Sequence, residues 1–181
     1  MHAIDIAIGV GWLVFWVGWL VAAVGVKSGR AQWRPYAGSR VVVIAAIILL
    51  ARVHAFRGHD THDAWLEGIG LAAFVLGLAL AVWARVYLGR NWGTPMSQKD
   101  SPELVTTGPY RWIRNPIYSG LILAGIGSAV AISPEWFVVV VVVGGFFVYS
   151  AFKEQEYMSA QFPHTYPAYR NSTKMLIPYV F

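Results

Sequence analysis

Residues 6–26 pass 21 positions, Ile6 to Val26, without one charged side chain. As an α-helix that stretch reaches about 31 Å, enough to cross a hydrocarbon core of about 30 Å. Four more apolar stretches follow: Val41–Phe56, Ile69–Tyr87, Ile117–Ile132 and Trp136–Phe152. The second carries Arg52 and His54, so it must tilt, snorkel or lean on neighbours. The last contains the valine run 138–143, a strand signal in water. In lipid an isolated strand leaves its backbone groups unpaired, so helix is expected there too. Only Ser133-Pro134-Glu135 separates the fourth stretch from the fifth. Serine as N-cap and proline at the first helical position predict a helix start, which makes the last two spans a tight hairpin.

Composition agrees. Charged residues make up 13% of the chain, about half the share of a soluble domain. Trp, Tyr and Phe contribute nine each, enough for aromatic belts at both membrane interfaces. The expected fold is an all-α integral membrane protein of about five transmembrane helices, forming a single membrane domain over residues 1–181 with no separate soluble domain. Its three-span N-terminal part ends near residue 88. The first span lacks a basic leader and is long enough to stay in the membrane. Cysteine is absent, which excludes disulfides, thiolate metal sites and cysteine nucleophiles.

Basic residues set the expected orientation. Lys27, Arg30, Arg34 and Arg40 follow the first span, and Arg85, Arg90, Lys99, Arg111 and Arg114 follow the third. Lys153, Arg170 and Lys174 follow the fifth, leaving Arg52 and Arg57 for the opposite side. The positive-inside rule then places the N-terminus outside, with both long loops and the C-terminus cytoplasmic. The net charge of +5 is a topology signal, and no nucleic-acid partner is expected.

Polar chemistry concentrates in GPYRWIRNPIY, residues 108–118, at the edge of the fourth span. Pro116 disfavours helix at Asn115 and leaves the chain extended or turned before the span starts. Gly108 permits close backbone approach. Arg114 can hold a carboxylate or phosphate through paired hydrogen bonds. The hairpin returns the chain to the membrane face it left, so Glu154, just past the fifth span, can reach the neighbourhood of Arg114. The loop 89–113 and the tail 153–181 begin at that same face. Together they predict a cytoplasmic pocket reached from water and from lipid.

At this motif the chain shows a family likeness. Its C-terminal half, residues 85–181, resembles the isoprenylcysteine carboxyl methyltransferase family and the related phospholipid methyltransferases. The matching stretches are LGRNWG at 88–93, ELVTTGPYRWIRNPIYSG at 103–120, EQEYM at 154–158 and FPHTYPAYRNSTKMLIPYV at 162–180. The resemblance implies a membrane methyltransferase that binds S-adenosyl-L-methionine and releases S-adenosyl-L-homocysteine. It implies cofactor-binding roles for Leu104, Val105, Tyr110, Asn115, Pro116, Ile117, Tyr118 and Glu154, the last reaching in from the tail. The catalytic pair is then Glu154 and Arg114, which orients a lipid-borne or prenylated acceptor; carboxylate O-methylation is favoured. The alternatives are a phospholipid amine N-methyltransferase, an NADPH-dependent sterol-type membrane reductase, and a non-catalytic lipid-binding protein.

Four positions depart from the family pattern: Asn115 and Pro102 stand where histidines are usual, Gln155 replaces a glutamate, and Ser150 replaces a basic residue. The cluster His54, His59, Asp60, His62, Asp63 falls on the predicted outer loop and is read as a solvated loop, so no metal site is expected. His164 is read as an exposed loop residue. Gly120, Gly125 and Gly127 mark a close helix contact, within one chain or between two.

Overall fold

The computed structural model describes residues 2–22, 29–31, 63–93, 97–99 and 102–181. The predicted span Val41–Phe56 and the histidines His54, His59 and His62 lie outside them. Among the described residues the chain forms α1 (Ala3–Val21), β1 (Gly29–Ala31), α2 (Ala64–Leu88), β2 (Ser97–Lys99), α3 (Pro116–Ile132), α4 (Trp136–Gln161) and α5 (Tyr166–Ser172). The two strands pair antiparallel, Gly29 opposite Lys99 and Ala31 opposite Ser97. They tie the basic loop after α1 to the basic loop after α2.

The architecture is an all-α membrane fold with this one short ladder. Helices α1 and α4, and α2 with the turn that continues it, are long and apolar enough to cross a membrane. α3 is shorter, with 17 residues. The valine run is helical, as backbone pairing in lipid demands. Asp63 caps α2 by accepting from the Trp65 N–H at 3.0 Å.

α2 and α3 meet backbone to backbone. A Cβ placed on Gly120 would sit 2.5 Å from the Gly77 carbonyl oxygen, and one on Gly127 would sit 2.5 Å from the Gly70 oxygen. Small residues seven apart on both helices therefore form one seam, with Ala124 and Ala131 filling the intervals. So Gly120 and Gly127 serve a contact within one chain. Gly125 faces α4 instead, where a Cβ would meet Val140 at 3.3 Å. α1 joins the pair through aromatic rings: Trp12 lies edge-on to Phe74 at 5.5 Å and donates to Ser128 Oγ at 3.1 Å.

Two local expectations are corrected. Ser133 closes α3 instead of capping α4, and its side-chain oxygen is buried without a hydrogen bond. The backbone supplies the turn: the amides of Trp136, Phe137 and Val138 donate to the carbonyls three residues earlier. Because those short-range bonds satisfy the first amides of α4, no side-chain cap is needed. α4 also runs nine residues past Phe152, to Gln161, so Glu154 stands on a helix and not on a tail. Lys153 and Glu156, paired at 2.8 Å, extend that helix beyond its apolar part.

Candidate active site

The tail folds back onto the segment that begins α3. Arg114 N–H donates to Lys174 O at 2.8 Å, Asn115 N–H to Met175 O at 3.1 Å, and Lys174 N–H to Trp112 O at 3.1 Å. Side chains add to the junction. Asn115 Nδ2 donates to Met175 O at 3.2 Å, Ser119 Oγ to Leu176 O at 2.6 Å, and the Tyr169 hydroxyl to Tyr110 O at 2.8 Å. The prolines shape the receiving surface. Pro109 and Pro116 are among the largest fully buried side chains, and Pro116 opens α3 with its preset φ. Gly108 takes a positive φ of 60° against the Tyr87 ring, where any side chain would collide.

Beneath this junction lies a cavity of about 420 Å³. That is within the range of ligand pockets, about 300–1,000 Å³. Leu104, Val105, Tyr110, Arg114, Asn115, Ile117, Tyr118 and Glu154 all line it. Pro116 does not; it is packed beneath as part of the wall's support. The structure thus brings Arg114 and Glu154 to one cavity from opposite ends of the α3–α4 hairpin, as the sequence geometry anticipates.

Tyr118, Glu154 and Arg114 are held by local partners. The Tyr118 hydroxyl donates to Glu154 Oε1 at 2.5 Å, and the Tyr118 ring stacks on Phe147 at 4.8 Å. Arg114 Nη1 donates to Arg170 O at 3.0 Å and to Thr173 O at 2.6 Å, and Nη2 donates to Gln155 Oε1 at 3.3 Å. Burial lowers the pKa of this guanidinium, with Tyr166 and Tyr169 acting in the opposite sense, and it stays a cation. Burial, reinforced by Glu154, pushes the Tyr110 hydroxyl well above its ordinary range; burial also raises Tyr169 strongly, and raises Tyr166.

The departures from the family pattern acquire physical roles here. Asn115 uses its amide to dock the tail, and Gln155 receives Arg114. Ser150 is fully buried and turns inward to Phe146 O at 2.8 Å, so it presents nothing to the cavity. His164 is exposed on the turn before α5.

Several lining residues were not singled out from sequence. Trp16, Trp19 and Leu20 come from α1, Trp92 from the loop, Tyr157 and Met158 from α4, and Tyr166 and Tyr169 from the tail. The spacing Trp12, Trp16, Trp19 marks one helix face, the only signal that α1 turns toward a site.

Span-length apolar helices with a cavity lined by aromatic rings and carboxylates at one end define an integral membrane protein with a pocket at its helix termini. The chain belongs to the phospholipid methyltransferase family, whose model matches residues 66–165. It is 27% identical over 143 residues to protein-S-isoprenylcysteine O-methyltransferase B of Arabidopsis thaliana, covering 77% of this chain and 72% of that one. It is 34% identical over 77 residues to the nickel-cobalt-cadmium resistance protein NccN of Alcaligenes xylosoxydans xylosoxydans, covering 42% of this chain and 33% of that one. Its fold matches the solved eukaryotic intramembrane Ras methyltransferase ICMT (isoprenylcysteine carboxyl methyltransferase) with a TM-score of 0.58 and 24% identity. That match covers 83% of this chain but only 55% of the solved one.

Proposed function

We propose that this chain is a membrane methyltransferase that uses S-adenosyl-L-methionine, releases S-adenosyl-L-homocysteine, and methylates a lipid-borne or prenylated acceptor. The observation that carries the reading is the convergence of Leu104, Val105, Tyr110, Asn115, Ile117, Tyr118 and Glu154 on one cavity. Aromatic faces and one oriented carboxylate are what a ligand with sulfonium and ammonium charges requires. When bound, the cofactor supplies an activated methyl group, so no covalent enzyme intermediate is needed.

The chain's own work is alignment and exclusion of water. Glu154, held by Tyr118, receives the cationic end of the cofactor. Trp16, Leu20 and Phe147 offer an apolar wall to the acceptor's hydrocarbon part. Arg114 spends its Nη1 donors on the tail and one Nη2–H on Gln155; its Nε–H and the other Nη2–H are left to aim an acceptor carboxylate. We favour carboxylate O-methylation, which needs no base and is the oxygen chemistry in the name of the Arabidopsis relative. The basic excess of the loops beside the cavity puts it on the cytoplasmic side in this reading, with the N-terminus outside.

Two measurements test the proposal. S-Adenosylhomocysteine is expected to raise the melting temperature of the detergent-solubilised protein, NADPH to leave it unchanged, and Glu154→Gln to weaken the first effect. Stabilisation by NADPH alone would replace the reading with a reductase. Label transferred from methyl-labelled cofactor to lipid extracts is expected to be base-labile; base-stable label would assign an amine acceptor.

A further inference from the structure

We infer that Glu103 is the ribose ligand of the cavity, accepting hydrogen bonds from the two adjacent hydroxyls of the cofactor's nucleoside. The inference rests on the methyl-donor reading above and deepens it with a binding residue on a separate wall.

Two carboxylates line the cavity from separate elements: Glu154 on α4, and Glu103 on the extended segment that leads into Leu104 and Val105. Each is oriented by a neutral donor. The Tyr118 hydroxyl serves Glu154, and Asn91 Nδ2 donates to Glu103 Oε2 at 3.1 Å.

Asn91 is itself firmly placed. It ends the 3₁₀ turn Gly89–Asn91, whose first residue has φ +53° and whose Gly89 carbonyl accepts from Arg85 Nη1 at 2.7 Å. Arg85 is buried, donates through Nη2 to Ala22 O at 2.6 Å, and lies 4.5 Å over the Trp92 ring. The line Arg85–Gly89–Asn91–Glu103 therefore runs from a buried guanidinium to an exposed carboxylate on the cavity wall.

The two acids suit opposite ends of one ligand. Glu154 sits among aromatic faces, the setting for a cation. Glu103 is exposed at the loop wall, where a second fixed cation in the ligand is absent but a diol is available. An ionised carboxylate has two oxygens and about four acceptor positions, which complement two adjacent hydroxyl donors. Acidic side chains take ribose hydroxyls in this way in dinucleotide-binding folds.

The rival role is a staple, with Glu103 merely joining its segment to the turn after α2. A cycle of ligands and variants separates the two, measured by titration calorimetry on the full chain in detergent with S-adenosylhomocysteine and its 2′-deoxy and 3′-deoxy forms. The wild type is expected to bind each deoxy form roughly ten- to a hundredfold more weakly, the size of one charge-assisted hydrogen bond. Glu103→Ala is expected to bind the parent ligand weakly and all three ligands alike. Glu103→Gln still accepts from Asn91, so it keeps the staple while losing the charge; it carries the comparison if the alanine variant does not fold, and its preference for the hydroxyls is expected to shrink. A variant that binds more weakly yet keeps the full wild-type preference overturns the assignment, as does a wild type indifferent to both hydroxyls. A wild type that binds no S-adenosylhomocysteine overturns the methyl-donor reading and this inference with it.

Discussion

α1 and the junction around Arg114 border the same cavity but are held in place by different forces. α1 leaves Leu13 64% and Leu20 70% exposed, and it meets the bundle through rings, the Trp12–Ser128 bond and the Arg85–Ala22 bond at its end. The junction is a lattice of short polar bonds between residues 110–119 and 169–176, with Tyr110, Ile113 and Met175 buried among them. One region is defined by apolar surface and ring shape, which tolerate small changes. The other is defined by directional, mostly part-buried bonds, where losing one side chain strips donors from more than one acceptor.

The largest expected break falls on Arg114. Arg114→Ala removes the donors for Arg170 O, Thr173 O and Gln155 Oε1, and a loss of about 3 kcal/mol is expected. Thermal unfolding in detergent, with faster proteolysis within residues 166–176, measures it.

Tyr169→Phe removes only the bond to Tyr110 O and is expected to cost about 1 kcal/mol. It also sharpens the comparison through pH. Tyr110, Tyr166 and Tyr169 have raised pKa values, chiefly from burial, so the folded state keeps protons that the unfolded chain releases near pH 10. Their contribution is intact below that pH and declines as pH rises beyond it. Melting temperatures from pH 8 to 11 are expected to fall at the alkaline end, less steeply in Tyr169→Phe.

The smallest effect belongs to α1: Leu13→Ala, on an exposed face, is expected to change stability by less than about 0.5 kcal/mol. A Leu13→Ala loss matching that of Arg114→Ala would erase the contrast.

The same contrast explains what was legible in the sequence. Long, nearly charge-free apolar runs report membrane helices directly, so α1, α2, α3 and α4 are all legible, the valine run included. The likeness of residues 103–120 and 154–158 to a family picked out residues that, Pro116 apart, share one cavity. What hydropathy cannot encode is which buried polar atom meets which. Ser133 reads as a cap, yet backbone turns already satisfy the amides it would have served. Arg114 reads as a ligand-facing cation, yet most of its donors are taken by the tail and by Gln155. Trp16 and Trp19 carry no distinguishing signal because, along one helix, a lipid-facing ring and a cavity-facing ring have the same pattern. Tyr166 and Tyr169 sat within a quoted stretch, but their inward direction depends on a tail fold that no local periodicity dictates.

The docking of residues 169–176 onto 110–119 has a consequence for how the protein is made. The four long helices among the described residues all emerge before that segment, so insertion into the bilayer and completion of the cavity are separate events in time. A nascent chain halted after Gln161 would be threaded through the membrane with its chamber still lacking a roof. Competence to bind would then arrive in a late step, set by when residues 169–176 become free to swing home.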